Sequence, residues 1–423
     1  SMARHNEIGT DLIDCDNCYK TAFGQNSVAC LDSQFLLNCR NCQNCLGCVN
    51  LRNKNYHILN RPYSKDEYFR KTAELNLGSY KNLCIFRKNF EELARQSIHK
   101  FATIENSVNV TGDNLLSSRN CHNTFAANNS ENCSYCFILN GNKECYDTNN
   151  SYPQAELSYE SVSLVDGTKC LFTSLMWSDS LDCYYSDGCF TATNVFGCIS
   201  LKKKSFCILN KQYAPEEYRQ LVEKIKKQMQ EAPYIDQKGR KYAYGEFFPT
   251  EISPFAYNET TAQQYFPRTK EEVLSSGYKW REPEKKNHSI TVKREGIPDN
   301  IKEVGDSITQ EILECEHQGL CAENCTWAFQ IVLPELQIYR QLNVPLPRFC
   351  FNCRNHRRIA KRTPLKLWTR SCQCAGATSE NKIYQNQSNH FHGAGHCPNE
   401  FETPYSTERK EIIYCEQCYQ QEV

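Results

Sequence analysis

Two C-x-x-C pairs near the end of the chain, Cys350 with Cys353 in "RFCFNCRN" and Cys415 with Cys418 in "YCEQCY", have the spacing of thiolate knuckles that grip a tetrahedral cation. Each knuckle needs a second pair. For the first, Cys321 and Cys325 in "LCAENCTWAF" are nearest, with Cys315 and His317 in reserve. For the second, Cys397 in "GHCPNEF" supplies one thiolate and Cys372 or Cys374 in "SCQCAG" the other. The chemistry expected of these residues is two structural zinc ions, since four thiolates leave no open coordination position for catalysis. Such ions would supply much of the folding energy of a cysteine-rich zone. His390, His392 and His396 lie between the ligands of the second set, as surplus donors that could exchange with a thiolate or hold an additional ion.

A basic segment follows the first knuckle. Residues 340–370 carry nine Lys or Arg and no acidic residue, although the whole chain has 49 of each sign. Arg354, Arg357, Arg358, Lys361, Arg362, Lys366 and Arg370, with Trp368 beside them, combine phosphate-binding cations with a ring that can stack on a base. This favours RNA or a ribonucleoprotein as partner. Alternatives are a protein partner for the ribbon faces, or a solvated basic surface that pairs within the chain.

The 27 cysteines fall into two groups, 17 up to Cys207 and ten from Cys315 onward. The stretch "NCRNCQNCLGC", with Cys39, Cys42, Cys45 and Cys48, also resembles a metal site. An internal repeat argues otherwise. "GCVNLRNKNYHILNRPYSKDEY" (47–68) returns as "GCISLKKKSFCILNKQYAPEEY" (197–218), identical at ten of 22 positions. Extended backwards, the alignment sets Cys42 against Ala192 and Cys45 against Val195. Ala and Val hold no metal, so the shared requirement is small volume, and cysteine serves as a small hydrophobe. Cys133 and Cys136 take the same reading.

The elements that must position these groups follow from the pattern. Residues 1–213 mix Asn, Ser, Cys and single aromatics without helical periodicity, which predicts a mainly β fold, a right-handed parallel β-solenoid of short strands with polar corners. A helical insertion is expected over 62–101, opened by the capping box Ser64/Glu67, with Phe90, Leu93, Ala94, Ile98 and Phe101 on the apolar face of a second helix. Residues 214–310 read as a capping helix from Pro215, striped by Tyr218, Leu221, Val222, Ile225 and Met229, and then an aromatic, Pro-rich extended arm holding one short helix capped by Thr269 and Glu272. Residues 311–423 read as tandem zinc ribbons. Strand-like sequence begins almost at residue 1 without a cap, so a truncated N-terminus is expected.

No apolar run of membrane-spanning length and no secretory signal are present, and C-x-x-C pairs in an odd cysteine total favour reduced thiols and a cytoplasmic setting. Asp166, Asp179, Asp182 and Asp187 could converge from neighbouring coils as the acid/base group of a carbohydrate-active β-helix, but corner turns use Asp equally well. No nucleophile elbow, P-loop or dinucleotide fingerprint occurs, and a non-enzymatic scaffold is the favoured reading.

"FFPTEISPFAYNETTAQQYFPRTKEEVLSSGYKW", "LPELQIYRQLNVPLPRFCFNCR" and "HFHGAGHCPNEFETPYSTERKEIIYCEQCY" cover most of residues 240–423. They resemble recurrent blocks of uncharacterised cysteine-rich β-solenoid and zinc-ribbon proteins from metagenome-derived bacteria. The resemblance implies the same architecture, with a further N-terminal ribbon in most members, and brings no established activity.

Overall fold

The computed structural model describes residues 5–282, 288–321 and 323–423. Its first half is built from parallel strands stacked at a step of 12 residues. Tyr19 pairs with Leu31, Leu31 with Gln43 and Gln43 with Asn55 in one sheet. In a second, longer sheet Leu181 pairs with Thr193 and Thr193 with Ser205. A thirteenth residue is accommodated in places, as where Gly167 pairs with Ser180.

The step is made of three-residue units, each with one residue at left-handed φ. Asn38, Asn41 and Asn44 have φ of 51° and Gly47 a φ of 67°. Asn and Gly tolerate this region best because it crowds the Cβ of most residues. The residue after each turns inward: Cys39, Cys42, Cys45 and Cys48 are all fully buried. The letters N-C at steps of three therefore record a corner followed by a core position. Aligned Ala192 and Val195 fill the same kind of interior position and are also fully buried.

Volume is only part of what the interior requires. The Cys39 thiol points at the carbonyls of Leu37 (3.6 Å) and Cys48 (3.3 Å), two residues back and nine ahead. Thr21 bonds the equivalent carbonyls of Tyr19 and Cys30 at 3.1 and 3.2 Å, and Ser27 bonds Gln25 at 3.0 Å. Each unit leaves buried carbonyls, and a small side chain with one donor satisfies them.

Each copy of the internal repeat ends its sheet in one way. Leu59 and Asn60 both have positive φ (47° and 61°), as do Leu209 and Asn210 (45° and 65°). Two such residues in succession reverse the chain into an antiparallel pair, His57 with Pro62 and Cys207 with Gln212. The Asn60 side chain bridges the backbone N–H and C=O of Val49 at 2.9 Å each, and Asn210 does the same at Ile199. Helices then follow. Lys65–Leu75 opens on the Ser64/Glu67 capping box, and Pro215–Glu231 buries Tyr218 and Val222 against Phe196 and Ile208.

The helix Tyr80–Gln96 packs Leu83 and Phe86 on Phe35 and Leu46. It stops earlier than its apolar pattern suggests. Ile98, expected on its face, begins the strand Ile98–Lys100, which pairs in parallel with Ile412–Tyr414. A strand from the other end of the chain competes for that apolar surface, which local periodicity cannot reveal. The region expected to be an extended arm is a string of short helical turns. Among them is Lys270–Ser275, with its Thr269/Glu272 box. Tyr244 and Phe248 lean on Phe172 and Tyr185, which directly follow strands, and Tyr265 leans on Phe137 within one. Among the described residues no helix is long and apolar enough to cross a membrane.

Candidate metal centres and a basic cleft

Both late C-x-x-C pairs sit on a helix start. Cys350 caps the helix Phe351–Ile359 and Cys415 caps Glu416–Glu422, so the last cysteine of each pair lies in the first turn. Exposed amides and the positive end of the helix dipole favour thiolate there. Two strands bring the partners. Leu313–Glu314 pairs with Ala328–Phe329 and delivers Cys315, whose Sγ accepts from the Cys350 N–H at 3.2 Å. Trp368–Ser371 pairs with Glu400–Thr403 and delivers Cys372, whose Sγ accepts from the Cys415 N–H at 3.2 Å.

The resulting groups are Cys315, Cys325, Cys350 and Cys353, and Cys372, Cys397, Cys415 and Cys418; in each group the four sulfurs lie within 4.8 Å of one another. These cysteine clusters could hold metal ions. A tetrahedral ion bound at about 2.3 Å by four sulfurs separates them by about 3.8 Å. The observed edges include Cys350–Cys353 at 3.5 Å, Cys325–Cys350 at 3.9 Å, Cys315–Cys353 at 4.0 Å and Cys397–Cys415 at 3.9 Å. The donor set and these spacings fit a four-thiolate ion.

The ionisation of the thiols is split within each group. A hydrogen bond from Cys315 pushes Cys350 down to about 3, and one from Cys372 pushes Cys415 down to about 4. Cys315 and Cys372 are raised by those same hydrogen bonds, whereas burial is the first cause raising Cys353 and Cys418. Four anionic sulfurs cannot share a buried volume without a cation.

Two expected ligands stand elsewhere. Cys321 yields its place to Cys315, because the strand pairing carries Cys315 into the knuckle; Cys321 groups instead with His317, Glu323 and Cys353. Cys374 yields to Cys372 and groups with His390, His392 and Cys418. His396 turns to the Cys397 carbonyl at 3.0 Å and joins neither group. The signal for Cys315 and Cys372 was the C-x-H and C-x-C spacing, but which of the two residues faces the knuckle depends on strand register. Among the described residues, every such cluster lies in the last third of the chain.

The basic segment does not lie free on the surface. Arg354 pairs with Glu335 at 2.8 Å, Arg358 with Asp11 at 3.0 Å and Arg362 with Asp14 at 3.1 Å, the last pair only 8% and 13% exposed. Asp11 and Asp14 belong to the first strand repeats, so these ion pairs dock the cysteine-rich segment onto the sheet. Arg370 binds the Ser406 carbonyl, and Lys366 lies 5.2 Å over Trp368. The expectation of seven cations offered together to a ligand is corrected, because carboxylates distant in sequence meet three of them.

A cleft of about 830 Å³ opens between the first sheet, the helix Tyr80–Gln96 and the two cysteine-rich modules. Eleven Lys or Arg line it against five Asp or Glu. Arg354, Arg357, Arg358 and Lys361 come from the expected segment, whereas Arg362, Lys366, Trp368 and Arg370 lie outside the wall. Arg40, Arg52, Arg87 and Arg409 were not expected there; they are scattered in sequence and carry no local signal. Most wall cations are paired, such as Arg40 with Glu105 and Lys100 with Glu416. Arg87, Arg357 and Lys361 have no carboxylate partner among the described residues. Arg87 lies 5.4 Å over Phe23 and Arg357 4.3 Å over Phe349. Burial first, then the charge of Arg87, holds the Lys361 ammonium below its ordinary range, against the opposing pull of Asp11 and Glu91.

Three of the four aspartates considered for catalysis occupy left-handed corners. Asp166, Asp179 and Asp182 have φ near 52° or 53°, and Asp182 faces Lys169 at 3.9 Å. Asp187 lies in a bridge between Ser174 and Ile199.

No protein-family model and no curated protein matches the chain. Among solved structures, a provisionally assigned acetyltransferase from Desulfovibrio desulfuricans G20 is similar at 10% identity over 45% of this chain and 46% of that one, with a TM-score of 0.10. A superposition that poor says nothing of fold or activity.

Proposed function

We propose that the protein is a non-enzymatic scaffold: stacked repeats wound as a parallel β-solenoid, and two zinc ribbons docked on it, together wall a cleft that binds RNA or a ribonucleoprotein. Zinc is the reading that the thiolate sets support best, since four sulfurs at tetrahedral edges suit a structural d¹⁰ ion. The cleft carries the functional reading. Arg87, Arg357 and Lys361 form no carboxylate ion pair and lie beside Phe23 and Phe349, with Asp11 and Glu91 only partly offsetting their charge, an arrangement that an anion would stabilise. Phosphates supply the anion, and bases of a single strand can stack on the rings.

The test is binding of a fluorescent single-stranded RNA across a salt series. Neutralising three phosphates predicts a slope of log affinity on log salt of about −2. The triple variant Arg87→Glu, Arg357→Glu, Lys361→Glu should weaken binding at low salt at least about a hundredfold. Affinity that is flat in salt, or unchanged in that variant, rules out the cleft as an RNA site.

A further inference from the structure

We propose that each cysteine cluster is a two-ion centre, with one cysteine shared: Cys353 in the first and Cys418 in the second. This rests on the reading of the four-thiolate sets as zinc sites and doubles the ions per chain. The shared residue is a geometric finding. Cys418 stands within ligand range of Cys372, Cys397 and Cys415, and equally of Cys374, His390 and His392. Cys353 stands likewise between its own tetrad and His317, Cys321 and Glu323.

The second set at Cys418 is built for a cation. The His390 and Glu422 side chains are fully buried, with Nε2 2.9 Å from the carboxylate. That carboxylate also accepts from the Gln387 and Ser388 amides, so it acts as acceptor and His390 Nε2 must carry the proton. Nδ1 is then a bare lone pair, aimed at Cys374 Sγ at 3.3 Å. His392 repeats the logic. Its Nδ1 donates to the Gly395 carbonyl at 2.9 Å, leaving Nε2 bare toward Cys418 Sγ at 3.4 Å. A carboxylate or carbonyl behind an imidazole is the usual support of a metal-bound histidine. Nitrogen and sulfur bound to one tetrahedral zinc at about 2.1 and 2.3 Å stand about 3.6 Å apart, close to both spacings. Asn386 holds Cys374 from outside, its Nδ2 donating to Sγ at 3.2 Å.

The first cluster points the same way by a separate observation. His317 Nδ1 and Glu323 Oε2 are buried without a hydrogen-bond partner, although they stand 3.3 Å apart. Orphaned buried polar atoms are rare and costly. Both belong to the set with Cys321 and Cys353, whose sulfurs are 3.7 Å apart, and one divalent ion would satisfy all four. The two clusters correspond in order: His317 and Cys374 each follow a tetrad cysteine by two residues. At the Cys418 centre charge favours pairing too. A four-thiolate zinc buries two surplus negative charges; at the Cys418 centre a second divalent cation adding one thiolate and two neutral imidazoles halves that excess, and at the Cys353 centre, with a thiolate and a carboxylate added, it leaves the excess unchanged.

The experiment measures zinc by mass spectrometry on the purified full chain, with the protein quantified by amino-acid analysis. Four ions per chain are expected. His317→Asn and the double variant His390→Asn, His392→Asn leave both tetrads whole and should each bind one ion fewer at unchanged circular dichroism. Cadmium replacement gives a readout that needs no variant, because cadmium nuclei joined through one sulfur split each other's NMR signals. Two ions per chain, uncoupled cadmium signals and variants that lose nothing overturn the shared-cysteine centres while leaving the tetrads standing. A cluster whose variant alone loses nothing is a single-ion site. Absence of ions, with the thiols oxidised, removes both readings.

Discussion

At the scale of single residues, the repeat sets two rules that differ by one position. Most inward residues are small and carry one donor, as Cys39 does, with a larger side chain at a minority of positions such as Leu36 and Leu139. Cys39→Ser keeps the donor and should change stability by less than about 1 kcal/mol, whereas Cys39→Leu overpacks a closed interior and should cost about 1–3 kcal/mol. The preceding residue must tolerate φ near +50°. Asn44→Gly is expected to be nearly neutral, and Asn44→Val to cost about 1–3 kcal/mol, since a β-branched side chain is strained there. Urea unfolding of the four variants checks both rules. If Cys39→Ser proves as damaging as Cys39→Leu, the thiol has a role other than packing and carbonyl capping.

Elements join at two places where chain ends meet. The Arg362–Asp14 pair lies between the exposed and buried regimes, with side chains 8% and 13% exposed. Arg362→Ala removes a largely buried ion pair across this joint and should cost about 2 kcal/mol, visible as a lower urea midpoint. The second joint is the strand Ile98–Lys100 against Ile412–Tyr414. There burial depresses the pKa of His99 despite a hydrogen bond to the Ala94 carbonyl. The folded state thus holds this imidazole neutral. The unfolded chain binds more protons once pH falls below the ordinary histidine value of about 6.5, so His99 gives its full stability above that value and loses it as pH falls toward the depressed pKa. Stability curves from pH 7.5 to 5 should flatten in His99→Gln relative to the parent, and parallel curves would show that His99 is not the group responsible.

For the whole molecule, two kinds of cysteine imply two kinds of stability. The early thiols fill space and cap carbonyls, and the late ones converge in clusters. Exhaustive chelation should therefore unfold the last third and leave the parallel sheets in place. Hydrogen exchange followed by peptide mass analysis should show residues 311–423 losing protection while residues 19–58 keep theirs. Loss across the entire chain would mean that metal supports the sheets as well. Since Arg357 and Lys361 reach the cleft from the cysteine-cluster side and Arg87 from the insertion helix, chelated protein should also lose the salt-sensitive RNA binding proposed above.

Parallel stacking, the two capping boxes, the closing helix at Pro215 and the presence of cysteine clusters near the end were legible in the letters. Each is written locally: Asn before Cys at steps of three, Ser or Thr three residues before Glu, and paired cysteines. Replacement of Cys42 and Cys45 by Ala192 and Val195 in the repeat likewise separated packing thiols from ligands. Tertiary structure decided what depends on partners far apart in the chain. Register placed Cys315 and Cys372, rather than Cys321 and Cys374, in the tetrads. Asp11, Asp14 and Glu335 drew arginines out of a free basic surface, and a strand from residues 412–414 ended a helix early. Spacing along a chain reports which groups can meet; which of them do meet is set by competition for contacts that only the folded molecule brings within reach.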